Sequence, residues 1–241
     1  MRATPHVDQA ALQRLRELIA VGSRILAKFE LVDYLGHVSA RVPGSDLALI
    51  RARGAEQGDQ LRMRPDQVVL VDLEGEAQEG FQDAAYKPPD ETRLHTELYK
   101  ARPDVQAIVH THQPIATVFG DVERPILPMQ GVMASVVRDE IPIYRSARKV
   151  TTARQGEDVA RVLGSRSIVH MQNHGVTFVG QRVEEVVINA IWLEHQARLT
   201  LWGSMLGTPR GMRREELELQ ASDAFGLEGR WRYYASLVEQ P

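Results

Sequence analysis

The segment AIVHTHQP (107–114) sets His110 and His112 one residue apart at the end of an apolar run. On a strand, residues two apart project from the same face, so the two imidazoles would stand side by side. That is a good grip for a divalent transition metal. The same pair would also serve as polar strand-end residues bonded to loops, and His-x-His alone does not choose between them. The chain has no cysteine, which excludes disulfides and thiolate sites and leaves His, Asp and Glu as the strong ligands. Two further residues could converge with the pair: His174, in the turn Asn173-His174-Gly175, and Glu91, at the start of the helix feeding the His-x-His strand. Three imidazoles and a carboxylate suit one divalent ion per subunit, whether Zn, Mn, Fe or Co.

Each of these residues also has a plainer reading. Glu91 could answer the helix macrodipole, and His174 could be a turn residue tolerant of positive φ. His95, one helical turn after Glu91, could face the same site but is read first as a structural hydrogen-bonding residue, and His170 and His195 as core or surface. A cupin-type site is excluded, because Gln113-Pro114 follows the second histidine where that pattern wants a glutamate nearby.

The elements that must position these groups follow from pattern. Leu12, Leu15, Ile19 and Ile25 recur at helical spacing over 8–29, with Asp8 as cap. GHVSARVPG (36–44), LALIRARG (47–54) and QVVLVDLEGE (67–76) read as strands punctuated by Gly and Pro. Pro88 and Pro89 block a helix until Asp90, which is expected to cap one carrying Leu94 and Leu98. The strand 105–112 follows, then a short helical stretch after Gln113 and a Pro-rich passage. RQGEDVARVLG (154–164) is a helix stopped by Gly164. RSIVHMQNHGVTFVG is two strands joined at Asn173-His174-Gly175. Residues 182–207 form the longest amphipathic helix. Helices and strands alternate throughout, so the expectation is one α/β domain over 1–241, with 1–8 flexible and 208–241 a C-terminal helical tail.

Bulk properties narrow the partners. The 241 residues are 43% hydrophobic and 25% charged, ordinary for a globular protein. A net charge of −3 leaves no basic excess for nucleic acid. No apolar run approaches a membrane span, and MRATPHVDQAALQRLRELIA lacks the apolar core of a signal peptide, so the expected compartment is the cytoplasm.

DETRLHTELYKARPDVQAIVHTHQPIATVFG (90–120) resembles the central signature of the class II aldolase/adducin family. NHGVTFVGQRVEEVVINAIWLEHQARL (173–199) resembles its second signature, and GHVSARVPG precedes both in the right order. The resemblance covers about residues 30–207. It implies an α/β/α layered domain around a mixed sheet, assembled as a ring-like homotetramer. It also implies a metal held at His110, His112 and His174, with Glu91 as ligand or acid/base.

The departures from that family bear on substrate. Its sugar-phosphate aldolases cradle phosphate with small hydroxyl and amide donors. At the matching places this chain has Gly36-His37, Arg53-Gly54 and Pro89-Asp90. An acid and a proline disfavour phosphate, whereas Arg53 or Arg51 can grip a carboxylate bidentately. With GHVSAR and the terminal RWRYYA, the pattern is most similar to the family's decarboxylase-like branch, which acts on hydroxylated aromatic or pyridine dicarboxylates. The expectation is a metal-dependent, non-oxidative decarboxylase of such an acid, a small-molecule carboxylate. Glu91 or His37 is the candidate proton donor, Tyr144 a further catalytic candidate, and Arg53, Arg51, Ser39, Tyr233 and Tyr234 are candidate substrate contacts. The alternatives are an aldolase acting on an unphosphorylated hydroxy-keto acid and a non-enzymatic, adducin-like interaction domain.

Overall fold

A computed structural model describes residues 8–53, 59–78, 85–220 and 226–239. Helix α1 (Gln9–Lys28) starts where the side chain of Asp8 accepts from the amide of Ala10, so this part of the expected flexible terminus is a cap. Residues 1–7 lie outside the described residues. Strands β1 (His37–Arg41), β2 (Leu47–Arg51) and β3 (Val68–Asp72) form an antiparallel meander. Helix α2 (Thr92–Ala101) leads into β4 (Ala107–Thr111), and the short α3 (Ala116–Asp121) follows. Then come β5 (Ile143–Tyr144), α4 (Ala153–Leu163), β6 (Ile168–Met171), β7 (Gly175–Gly180) and α5 (Val183–Leu206). Helices α6 (Arg214–Gln220) and α7 (Gly226–Ser236) make the tail, with 221–225 outside the described residues.

The seven strands lie in the order β3-β2-β1-β4-β7-β6-β5. Every pairing is antiparallel except β5 with β6, so the sheet is mixed as expected. One face packs against α1 and α5, through residues such as Ile19, Val109, Phe178 and Val187, and α7 lies against those two helices. The other packs against α2 and α4, through Leu94, Leu98, Ile108 and Val159. Burying both faces of the sheet is what the near-continuous apolar strands require.

Two expectations are corrected. Asp90 does not cap α2: the N-cap position belongs to Glu91, whose side chain makes no cap bond. Helix α5 is not amphipathic, because residues buried from Val183 to Thr200 run around its whole circumference. It is a central helix, and its most exposed residues lie at its C-terminal end.

Candidate active site and metal centre

Alternation along the strands decides which side chains meet. Val38 and Ala40 of β1, Ala107 and Val109 of β4, and Val176 and Phe178 of β7 all enter the core under α1 and α5. Their neighbours His37, Ser39, His110 and Thr177 therefore face α2 and α4. The registers His37↔His110 and His110↔Thr177 put three of these in one row across adjacent strands. The His37 and His110 rings stack with centroids 5.2 Å apart and planes inclined by 26°.

Glu91, His110, His112 and His174 each offer a ligand atom, and the four atoms lie within 4.8 Å of one another. His110 Nε2 and His112 Nε2 are 3.1 Å apart, His174 Nε2 is 3.4 Å from Glu91 Oε1, and His110 Nε2 is 4.0 Å from Glu91 Oε2. Two nitrogens bound at ordinary Zn–N lengths and a tetrahedral angle are about 3.3 Å apart, so this spacing fits an ion. The surroundings orient these candidate ligands as well. Thr177 Oγ1 donates to Met171 Sδ at 3.3 Å, which leaves its oxygen to accept from His110 Nδ1 at 3.0 Å. The hydrogen of His110 is thus on Nδ1, and its Nε2 lone pair faces the cluster.

Backbone geometry makes room for this convergence. Glu91 sits at the mouth of α2, yet Oε1 accepts from the amide of Val150 at 2.9 Å instead of capping the helix. In the β6–β7 turn the positive φ falls on Asn173, at 55°, so His174 is not there for that tolerance. A Cβ on Gly175 would collide with the carbonyl of Thr111 and lie 2.9 Å from His112 Cδ2 and 3.2 Å from His110 Cε1. Only glycine lets this turn approach both imidazole rings.

Burial sets the charges. It tends to raise the Glu91 carboxyl, but the His174 hydrogen bond, the charges of His110 and His174 and the Val150 amide outweigh it and bring Glu91 to about 2. Burial and then neighbouring histidines hold His37 and His110 well below their ordinary value, and His112 is lowered for the same reasons. Glu91 is thus held as a carboxylate while burial disfavours the protonated forms of His37, His110 and His112, the direction metal binding needs.

The other expected site residues divide. His37 reaches the cluster, with Nε2 3.8 Å from Glu91 Oε2. Arg53, half-exposed, pairs with Asp90 at 2.5 Å, and Lys149 Nζ lies 3.6 Å from the same carboxylate. Gly54 lies outside the described residues. Arg51 is no substrate contact: it is buried and donates to the carbonyls of Gly36 and Tyr34, holding the loop that enters β1. Ser39 is fully buried and bonds His95 and Tyr99, so it cannot touch substrate. Tyr234 packs edge-on against Phe29 and bonds Trp192 across the opposite face of the sheet, with Tyr233 exposed beside it. Within one chain the sheet separates both from the cluster. Tyr144 lies on the edge strand β5, where it packs against the apolar cluster under α4.

Sequence reasoning missed Thr177, Gly175, Tyr99 and Lys149. One signal was available: Glu91, His95 and Tyr99 are spaced by four and share one side of α2. Nothing in the letters marks Thr177, an ordinary strand residue, as a partner of His110.

A mixed sheet with three imidazoles and a carboxylate gathered at its centre defines an α/β protein with a candidate divalent-metal site. Residues 16–201 match the family model described as Class II Aldolase and Adducin N-terminal domain, and the chain belongs to that family. It is 32% identical over 229 residues to a 3,4-dihydroxyphthalate decarboxylase from Arthrobacter keyseri, covering 90% of this chain and 91% of the relative. It is likewise 32% identical over 201 residues to the enzyme of that name from Rhodococcus jostii (strain RHA1), covering 81% and 82%. Its fold matches the L-fuculose 1-phosphate aldolase from Glaciozyma antarctica PI12 with a TM-score of 0.81 at 19% identity, covering 99% of this chain and 93% of that one.

Proposed function

We propose that this chain is a divalent-metal-dependent carbon–carbon lyase that removes CO₂ from a hydroxylated aromatic dicarboxylate. The observation that carries the reading is the convergence of Glu91, His110, His112 and His174. The identity shared with the two dihydroxyphthalate decarboxylases supports the choice of reaction. A divalent cation in that seat, whether Zn, Mn, Fe or Co, supplies Lewis acidity, lowering the energy of negative charge developing on a phenolic or enolic oxygen by several kcal/mol.

The chain's own residues do the rest. Arg53 orients the carboxylate that stays, by a two-pronged guanidinium contact. Asp90, already paired to Arg53, keeps that seat from accumulating the charge a phosphate dianion would need. Glu91 is ionised, so it can accept the phenolic proton and return it to the ring carbon that loses CO₂. With that carbon protonated, CO₂ leaves and the electron pair of the broken C–C bond passes through the ring to the phenolic oxygen, where the negative charge comes to rest. His37, whose ring edge faces Glu91, stands beside the same space. The protein works as a homotetramer in the cytoplasm in this reading. Supporting that assembly, Trp202, Met205 and Leu206 are exposed together at the end of α5. No helix among the described residues is long and apolar enough to cross a membrane.

The test loads purified protein with each metal in turn and measures CO₂ release from a panel of hydroxyphthalates. Release with at least one metal, abolished in His110→Ala together with the bound metal, is the expected result. Cleavage only of unphosphorylated hydroxy-keto acids would establish the aldolase alternative, and no turnover of either class, with no bound metal, would overturn the reading.

A further inference from the structure

Four buried side chains under α2 form one hydrogen-bonded file that ends at the metal centre. Tyr99 Oη lies 2.7 Å from Ser39 Oγ, Ser39 Oγ lies 2.7 Å from His95 Nδ1, and His95 Nε2 lies 3.0 Å from His37 Nδ1. His37 Nε2 is the open end, 3.8 Å from Glu91 Oε2. Exposures of 1% for Tyr99, 0% for Ser39, 1% for His95 and 5% for His37 keep water from completing the bonding along the file. Ser39, His95 and Tyr99 have no task in the reaction as set out above.

Counting hydrogens gives the file a direction. Each hydroxyl and each neutral imidazole carries one hydrogen, and buried donors need acceptors. In one order every hydrogen points toward the metal centre. Tyr99 donates to Ser39, Ser39 donates to His95 Nδ1, His95 Nε2–H donates to His37 Nδ1, and His37 keeps its hydrogen on Nε2. The reverse order leaves the phenolic hydrogen of Tyr99 without an acceptor among the described residues, because the polar group over its ring, the Arg41 guanidinium 4.9 Å from the centroid, only donates. The reverse order also turns a lone pair of His37 toward the Glu91 carboxylate, whereas the forward order turns an N–H toward it. Both counts select the forward order.

We infer that Tyr99, Ser39 and His95 are positioning residues that hold His37 as the Nε2–H tautomer, a fixed hydrogen-bond donor aimed into the metal centre at a substrate oxygen. The inference rests on the reading of that cluster as an active site, and it narrows the role of His37. A neutral imidazole held this way lends a hydrogen bond and keeps its hydrogen, since giving it up would leave an imidazolate. The proton that reaches the substrate carbon then travels through Glu91. A donor oriented before the reaction costs no reorganisation when charge develops on the oxygen it faces.

The direct test is a two-bond ¹H–¹⁵N correlation spectrum of the full chain labelled at histidine, with and without Zn²⁺. His37→Gln and His95→Gln provide the assignments. Expected are Nε2–H signals with unprotonated Nδ1 for both His37 and His95, and a hydrogen on His37 Nδ1 would overturn the inference. This readout needs no turnover, so it stands or falls separately from the decarboxylase reading. In kinetics, His95→Leu should lower kcat roughly ten- to hundredfold, with KM within about threefold and metal content intact. His95→Gln, whose amide nitrogen still reaches His37 Nδ1, should recover most of that loss. Glutamine as poor as leucine, or an unchanged kcat in His95→Leu, would refute the positioning role. Should His95→Leu not fold, Ser39→Ala serves in its place, with the His95 signals expected to become a mixture of tautomers; a single unchanged tautomer there would count against the file.

Discussion

The amide of Val150 donates to Glu91 Oε1 at 2.9 Å, and this bond holds the carboxylate away from the helix end it would otherwise cap. A glutamate at the head of a helix is ordinarily drawn to the free amides there. Here the loop before α4 outcompetes them, and His174 approaches from the other side to 3.4 Å. The carboxylate is fixed by groups far away in the chain, which is how it comes to face His110 and His112.

Thr177→Val removes the oxygen that accepts from His110 Nδ1 while keeping the shape of the strand. His110 is then free to put its hydrogen on Nε2, where it would block the ligand position. Metal affinity should fall roughly ten- to hundredfold, measured by competition with a chelating dye. Circular dichroism should be unaltered, and an unchanged affinity would show that Thr177 does not set the tautomer.

Gly175→Ala forces a methyl against the carbonyl of Thr111 and the rings of His112 and His110. Overpacking of this kind costs about 1–3 kcal/mol, read as a lower urea midpoint. Bound metal should drop in the same variant, because both ligand rings are displaced. A variant that keeps its full stability and metal would disprove the close approach.

Arg53→Ala should raise KM for a dicarboxylate substrate more than tenfold with little change in kcat, the effect of losing roughly 1.5–3 kcal/mol of charge-assisted hydrogen bonding. Asp90→Asn leaves the Arg53 charge unneutralised and should lower KM for substrates of higher negative charge. Equal KM values across wild type and both variants would remove Arg53 from the carboxylate seat.

Acid should destabilise the metal-free protein well before its carboxylates titrate. Burial holds His95 down at about 3 and His170 at about 4, against 6.5 for an unperturbed histidine, and His37 and His110 are held well below that value too. Below pH 6.5 the unfolded chain therefore binds protons that the folded chain refuses. Stability falls as pH falls from 6.5 toward these lower values, by up to about 1.4 kcal/mol per pH unit for each such histidine. Glu91, lowered from 4.5 to about 2, adds a loss of the same sign only below pH 4.5. Urea midpoints at pH 7, 6 and 5 check this: His170→Gln should flatten the dependence by about one proton's worth, and a flat profile in the wild type would contradict burial of neutral imidazoles.

The sequence by itself determined the local elements and the chemistry on offer. Asp8 and Gly164 mark helix ends that the structure places there, because caps are decided by near neighbours. The His-x-His spacing put both rings on one face, since strand alternation is a property of the backbone alone. Tertiary structure decided everything that depends on strand order and on which loop reaches which atom. Placing β4 between β1 and β7 aligns His37, His110 and Thr177, although residues far apart in the chain supply them. It also moved Arg51 and Ser39 from expected substrate contacts into buried hydrogen bonding, and set the sheet between Tyr234 and the cluster. A side chain's type states what it can bond, but burial and the nearest partner choose which bond it makes, and those are settled only when distant segments pack.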